Sequence, residues 1–288
     1  MHSIRTPFIA GMAMLTVLSV ASIHGVVWGD DVGMLKVIFL DVGQGDSIFI
    51  ESPSGAQVLI DGGKGSGILG SLGKEMGIFD RDIDMVLATH PDLDHIGGLI
   101  DVLERYDVST IVMTENAGET SLAQNFQEKA REEGARIVYA RRGQMYDLGF
   151  GPSGSTTLTI LFPDRDPTHW ESNTASIVAR LVYGDIEYLF TGDSPKEIET
   201  YLISLGSTTL KSDVLKVGHH GSQTSTSEFY ILAVDPKYAV ISAGRDNSYG
   251  HPHREVTELF KKYGIVQINT ATEGTVVSVS DGKKIRFK

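Results

Sequence analysis

The chain has 288 residues, 41% of them hydrophobic, enough for one large folded unit or two modest ones. Its formal charge of -12 repels polyanions at long range and argues against broad electrostatic capture of nucleic acid. Cysteine is absent, which excludes disulfides, thiolate metal sites and thiol catalysis together.

The N-terminus stands apart. Residues 1–28 carry no acidic residue, and Arg5 precedes an apolar run over 7–23. The pattern predicts a secretory signal peptide within residues 1–30. Continued through Val26, Val27 and Trp28, the same run is long enough for an uncleaved anchor, since about 20 apolar residues span a bilayer. Either reading puts the rest of the chain outside the cytoplasm, secreted or membrane-anchored.

Short runs bounded by Gly, Pro and Ser predict strands at 36–41, 46–50 and 57–61, with Pro53-Ser-Gly55 turning the chain between the last two. A buried strand is expected at 85–88. Helical periodicity follows over 99–106 and 122–133, where Leu122, Phe126 and Ala130 share a face. Strands are expected at 136–139 and 158–161, then a hairpin of 175–182 with 186–190. Ser194, Pro195 and Glu197 form a capping-box signature for a helix start. Alternating elements close the chain: strand 214–217, helix 228–232, strand 238–242, helix 254–263, and strands 265–269 and 275–280. Arg141-Arg142, Lys211 with Lys216, and the tail from Lys283 to Lys288 are candidate basic edges, each expected to be solvated surface. No linker divides this stretch, so one domain of two packed sheets with outer helices is expected.

Six of the nine histidines fall in pairs: His90 with His95, His219 with His220, His251 with His253. The densest group is Thr89-His-Pro-Asp-Leu-Asp-His95, two imidazoles and two carboxylates after the strand at 85–88. A tight turn stiffened by Pro91 is expected to aim all four at one point, where a helix or strand face would spread them. Histidine and aspartate suit zinc- or manganese-like ions that activate water. Leu189-Phe-Thr-Gly-Asp193 ends a strand in a carboxylate, and Leu215-Lys-Val-Gly-His-His-Gly-Ser222 ends another in two imidazoles. Asp41-Val-Gly-Gln-Gly-Asp-Ser47 and Asp61-Gly-Gly-Lys64 are glycine loops at strand ends.

With Asn173-Thr-Ala-Ser176 and Tyr249-Gly-His-Pro252, these motifs resemble the metallo-β-lactamase superfamily. More narrowly, they resemble the hydrolase-like domain at the C-terminus of ComEC/Rec2 competence proteins. The resemblance runs from about residue 34 to the end. It implies a hydrolase domain over 34–288 with an α/β, four-layer αββα sandwich of two mixed sheets and helices on the outer faces. Two departures stand out. Asp92 replaces the second histidine of His-x-His-x-Asp-His, as is typical of the ComEC-like branch, and Asn173 stands near another superfamily histidine. The first change hardens one site towards manganese or zinc.

The resemblance implies two divalent ions, Zn2+ or Mn2+. His90, Asp92 and Asp193 are expected at the first, and Asp94, His95, Asp193 and His219 at the second, with Asp193 bridging. Two such ions, about 3.5–4 Å apart, bring the pKa of a shared water towards neutrality and neutralise charge on the oxygen of the attacked group. Asp94 is expected to orient the resulting hydroxide. His220 either supports a ligand or donates to the transition state. His251 either meets the substrate phosphate or protonates the leaving group, or else caps the helix beside Pro252. Ser222 and Thr224, with the Gly221 amide, form an expected anion cradle, and Lys64 and Asn173 are the other expected substrate contacts. Asp61 is expected to accept from a ligand imidazole, and Asp41 and Asp46 to tie down their own loop. His2, His169 and His253 read as surface residues.

The expected function is an exported metal-dependent hydrolase of phosphodiesters, a nuclease in particular, acting on an anionic ester such as DNA and associating with a DNA-uptake channel. Two alternatives stay open at this point. One is hydrolysis of small esters, lactones or β-lactams by the same site; the other is a catalytically silent, metal-stabilised surface-binding domain.

Overall fold

The computed structural model describes residues 33–77 and 79–288. The signal peptide or anchor expected over 1–30 lies outside these residues. Among the described residues, no helix is long and apolar enough to cross a membrane.

The first sheet begins with β1 (Leu35–Phe39), β2 (Ile48–Glu51) and β3 (Gln57–Ile60), and continues through β4 (Asp82–Ala88), β5 (Asp107–Met113) and β6 (Arg136–Tyr139). The second holds β7 (Met145–Gly151), β8 (Gly154–Phe162), β9 (Val178–Tyr183), β10 (Ile186–Phe190), β11 (Val214–Lys216), β12 (Tyr238–Ile241) and β13 (Val266–Asn269). The chain then returns to the first with β14 (Val276–Ser280) and β15 (Ile285–Phe287). The orders are β15-β14-β1-β2-β3-β4-β5-β6 and β13-β12-β11-β10-β9-β8-β7. Both sheets are mixed, as expected: β3 to β6 run parallel, as do β10 to β13.

Alternation along the strands builds the layers, because successive side chains leave opposite faces. Val37 and Phe39 of β1 join Leu181, Tyr188 and Phe190 in the core between the sheets. Ile38 and Leu40 point the other way, into a second core beneath α1 (Gly67–Glu75), α2 (Leu93–Leu103) and α3 (Ser121–Glu132). On the far side, α4 (Lys196–Gly206) and α5 (Glu228–Val234) cover Leu189 and Leu215, while Val256 and Phe260 of α6 (Arg254–Lys262) cover Ala239 and Ile241. The four-layer αββα sandwich is thus formed. The chain ends of β3 and β4, and those of β10, β11 and β12, carry the loops of the site, the usual place for ligands in parallel sheets.

Several local expectations need correction. Helix α2 begins at Leu93, not near Leu99, so Asp94 and His95 sit in its first turn rather than in a turn that ends before it. Convergence survives because Asp92, which precedes the helix, is extended backbone. Helix α1 and strands β5, β7 and β15 had no sequence signal assigned, and the basic tail is in part the edge strand β15. The capping box is not made: Ser194 Oγ is buried without a hydrogen-bond partner. Instead the Glu199 carboxylate accepts from the backbone of Thr226 and Ser227. Lys216 is buried, not surface.

The Ile96-Gly-Gly98 turn of α2 lies against the loop after β3. A Cβ on Gly98 would stand 2.1 Å from the Gly62 carbonyl oxygen. Gly98→Ala should therefore destabilise the protein by about 1–3 kcal/mol, despite alanine's helix advantage of up to about 1 kcal/mol. A urea midpoint equal to that of the wild type would show that this contact is loose.

Candidate metal centre

Three loops meet at one rim, supported by those after β3 and β12. After β4 the chain supplies His90 and Asp92, and the first turn of α2 adds Asp94 and His95. The Thr191-Gly-Asp193 loop follows β10, and Gly218-His-His-Gly221 follows β11. That last loop turns sharply, with His219 and His220 both in the left-handed region at φ 48° and 55°. Such conformations cost about 1–2 kcal/mol each for a residue with a Cβ. The loop is held there by the His219 amide donating to Gly192 O at 3.1 Å and the Ser222 amide donating to His219 O at 2.8 Å. As a result the two histidine rings diverge, one buried inside the rim and the other at its partly exposed edge.

The buried ring is that of His220. Its Nε2 lies 3.4 Å from Asp94 Oδ2 and 3.5 Å from Asp193 Oδ2. Its Nδ1 lies 2.9 Å from the carbonyl of Ser242, its hydrogen-bond acceptor. His95 Nε2 is 3.3 Å from Asp193 Oδ1, and His90 Nε2 is 3.9 Å from Asp193 Oδ2 and 3.8 Å from Asp92 Oδ2. Donor atoms of His90, His95 and Asp193 fall within 4.8 Å of one another, as do those of Asp94, His95 and His220.

Asp61 holds this group from behind. One of its oxygens accepts from the Thr89 amide at 2.8 Å; the other accepts from the Thr89 hydroxyl at 2.6 Å and meets His95 Nδ1 at 2.8 Å. The arrangement fixes the tautomer and leaves the His95 Nε2 lone pair for the rim. The expected role of Asp61 matches this contact.

His90 Nε2, His95 Nε2, His220 Nε2 and Asp193 Oδ1 are all buried without a hydrogen-bond partner. Orphaned buried polar atoms cost about 1–3 kcal/mol each. Donors from these residues fall into overlapping groups of three, each compact enough for a divalent cation, and mixed imidazole and carboxylate donors suit zinc or manganese. The residues present therefore fit the group that the motifs imply. Burial would strip the His95 proton, but Asp193 and Asp61 outweigh it and hold its pKa well above the usual range. Burial opposes ionisation of Asp193, yet His220, His95 and His90 pull its pKa well below the usual range. His90 is pushed down by burial and by His95.

The other expected residues are placed as follows. Asp92 is half exposed and accepts from Ser172 Oγ at 2.6 Å. Asn173 is the neighbour of that serine, and its Oδ1 is buried without a partner. His219 Nε2 lies 3.7 Å from Asp193 Oδ2, between the 3.5 Å of His220 and the 3.9 Å of His90, and its side chain is one-quarter exposed. Its Nδ1 meets Thr224 Oγ1 at 3.0 Å, and Thr224 meets Ser222 Oγ at 3.0 Å. The two hydroxyls expected to cradle an anion thus orient His219. Lys64 is exposed and lines a groove with Asp94.

His251 packs 5.6 Å from the His219 ring, and burial with the neighbouring histidines pushes its pKa down to about 4. His253, not His251, stands at the N-cap position of α6, without a side-chain capping bond; its Nδ1 instead accepts from the Gln223 amide at 3.1 Å, so it is not a free surface residue. Asp41 binds within its own loop through the Gly43 amide. Asp46 instead reaches across to the second sheet, 2.6 Å from Lys216 Nζ and 3.1 Å from His220 Nδ1. Sequence reasoning missed Thr89, Ser172 and Ser242 as supports. For Lys216 a signal existed: it interrupts the apolar run Val214-Leu-Lys-Val217.

Comparison with known proteins agrees with this geometry. A family model described as the metallo-beta-lactamase superfamily matches residues 40–245. ComE operon protein 3 of Bacillus subtilis is 35% identical over 199 residues, covering 68% of this chain and 24% of that protein. Recombination protein 2 of Haemophilus influenzae is 32% identical over 195 residues, covering 67% and 22%. Competence protein ComA of Neisseria gonorrhoeae is 31% identical over 196 residues, covering 68% and 25%. The matches thus span about a quarter of these relatives' length. Among solved structures, Igni18, a metallo hydrolase from Ignicoccus hospitalis, superposes with a TM-score of 0.54 at 14% identity, covering 84% of this chain and 98% of that one. CmlA, a diiron beta-hydroxylase from Streptomyces venezuelae, gives 0.50 at 13% identity, covering 81% and 52%. These two speak for the fold alone.

Proposed function

The chain belongs to the metallo-beta-lactamase superfamily, and on that premise we propose that it is a metal-dependent hydrolase of phosphodiesters, with DNA as the substrate class. The observation that carries the reading is the set of unpaired buried donors, His90, His95, Asp193 and His220, facing one another at the rim. His90, Asp92 and Asp193 would hold one ion, and Asp94, His95, Asp193 and His220 the other. His220 takes the place first expected for His219, because its Nε2 is buried among the carboxylates. Asp193, which faces all these histidines, would belong to both sets.

When bound, such ions polarise a phosphoryl oxygen and make water acidic near neutral pH. The chain's own groups do the rest. Asp61 and the Ser242 carbonyl fix which nitrogen of His95 and of His220 faces the rim. Asp94, at the open side, orients the attacking water. His219, steered by Thr224, offers Nε2 as a donor to a substrate oxygen, with His251 beside it. Lys64, on the neighbouring groove, supplies the positive charge that an anionic ester meets on approach. The choice of DNA rests on relatives named for competence and recombination. The leader or anchor read over 1–30 would place this activity outside the cytoplasm, beside a DNA-uptake channel.

Metal analysis should find two ions per chain, zinc or manganese. Chelation should abolish hydrolysis of bis(p-nitrophenyl) phosphate and of linear DNA. It should also lower the melting temperature, since an ion that binds only the folded state stabilises it by about 4 kcal/mol at a thousandfold excess over its Kd. Turnover of small carboxyl esters without DNA cleavage would replace the phosphodiester reading with the small-ester one. Two bound ions without turnover of any ester would make the domain a binding module.

A further inference from the structure

A groove of about 290 Å³ opens beside the cluster, lined among others by Gln44, Lys64, Leu93, Asp94, Asn247 and Tyr249. Asp94 belongs to both, since its carboxylate is 3.4 Å from His220. Whatever reacts at the cluster must therefore send part of itself past these side chains. Two of them are exposed apolar surface in a polar setting: Leu93 at 43% and Tyr249 at 63%. The Tyr249 ring stacks on His251 at 5.6 Å and 22°, and His251 stands against His219. The loop that carries it is built rather than loose. Asn247 Oδ1 accepts from the His251 amide at 2.9 Å, while its Nδ2 donates to His251 O and Gly244 O. The Gly244 amide in turn donates to Gln44 Oε1 at 3.2 Å, joining the tyrosine loop to the loop after β1.

We propose that Tyr249 is the stacking platform for one nucleobase next to the scissile phosphate, with Leu93 lining the same groove and Lys64 meeting a flanking phosphate. The inference rests on the phosphodiester reading above and specifies its substrate. A flat aromatic face backed by a second ring suits any base, because every base has a π-face. The groove's volume sits at the small end of small-molecule pockets, about 300–1,000 Å³, so it admits one nucleotide and not a stacked pair. Among the described residues, Lys64 is the one cationic side chain lining the groove, beside Asp94 and Asp246, which suits a single phosphate rather than a basic track along a duplex. The substrate is accordingly single-stranded or frayed, read through its base without sequence preference.

The test uses the metal-loaded protein and single-stranded oligonucleotides. Tyr249→Ala should raise KM at least about fivefold, the lower bound for loss of one base stack, while kcat changes little, and Tyr249→Phe should restore it. Substrates with an abasic residue at the scissile position should be insensitive to the substitution. As a binding readout, adenosine monophosphate should inhibit better than ribose 5-phosphate, and Tyr249→Ala should erase the difference. If the wild type cleaves oligonucleotides and Tyr249→Ala leaves KM and this inhibitor preference unchanged, the platform is refuted and the phosphodiester reading stands. If the loaded wild type cleaves no oligonucleotide yet turns over carboxyl esters, the phosphodiester reading falls and takes the platform with it.

Discussion

Asp193→Ala is expected to yield a folded protein that cannot keep its metal. The carboxylate faces His90, His95, His219 and His220 at once, with Nε2 to oxygen separations between 3.3 and 3.9 Å. Among the described residues, no other carboxylate is paired with all four, so none substitutes for it. Outer partners of metal ligands already cost about 10–100-fold in affinity or activity when removed. Loss of the central carboxylate should therefore cost more than about a hundredfold in hydrolysis, and leave bound metal near background after dialysis. Asp61→Asn provides the calibration, since Asp61 acts only through Thr89 and His95 and should fall within that 10–100-fold range. Elemental analysis reads the metal, and circular dichroism confirms that the sandwich persists. Metal content unchanged in Asp193→Ala would refute the bridging role.

How much of this was legible beforehand differs by the kind of signal. The layers were legible because alternation in stretches such as Lys36-Val-Ile-Phe-Leu40 encodes two buried faces, and the structure fills both. The donor set was legible because chemistry of one type ended strand after strand. The different burial of His219 and His220 was not. It depends on two consecutive left-handed backbone conformations, which no periodicity announces and which non-glycine residues seldom adopt. The start of α2 was obscured for a different reason. Proline at 91 and paired aspartates read as a turn, whereas Asp92 is where the extended chain enters the helix. Ser222 and Thr224 were read as free donors because their mutual bond and their hold on His219 are tertiary contacts. Tyr249 carries no signal of its own in the sequence, since an exposed ring is told from a buried one only by the fold.

Lys216→Met should be the most destabilising of the substitutions away from the rim. Lys216 is 1% exposed and Asp46 2%, and their charged atoms meet at 2.6 Å. Burial alone would raise the Asp46 pKa, but Lys216 and His220 outweigh it and hold the carboxyl far below the usual range, so the charge persists in the interior. Removing one partner of such a pair leaves an uncompensated buried ion and costs about 3–5 kcal/mol, while replacing both is often neutral. The single variant should therefore lose about 3–5 kcal/mol in denaturant unfolding, and Lys216→Met with Asp46→Asn should recover most of it. The same pair acts on the site. Asp46 Oδ1 lies 3.1 Å from His220 Nδ1, close beside the Ser242 carbonyl that accepts from it. A carboxylate freed from lysine competes for that proton and turns the imidazole, so metal affinity should fall in the single variant beyond what lost stability explains. Recovery of both stability and affinity in the double variant would assign Lys216 the task of holding Asp46, and through it the His220 ring. Recovery of stability without affinity would place Asp46 itself among the groups that aim His220 into the cluster.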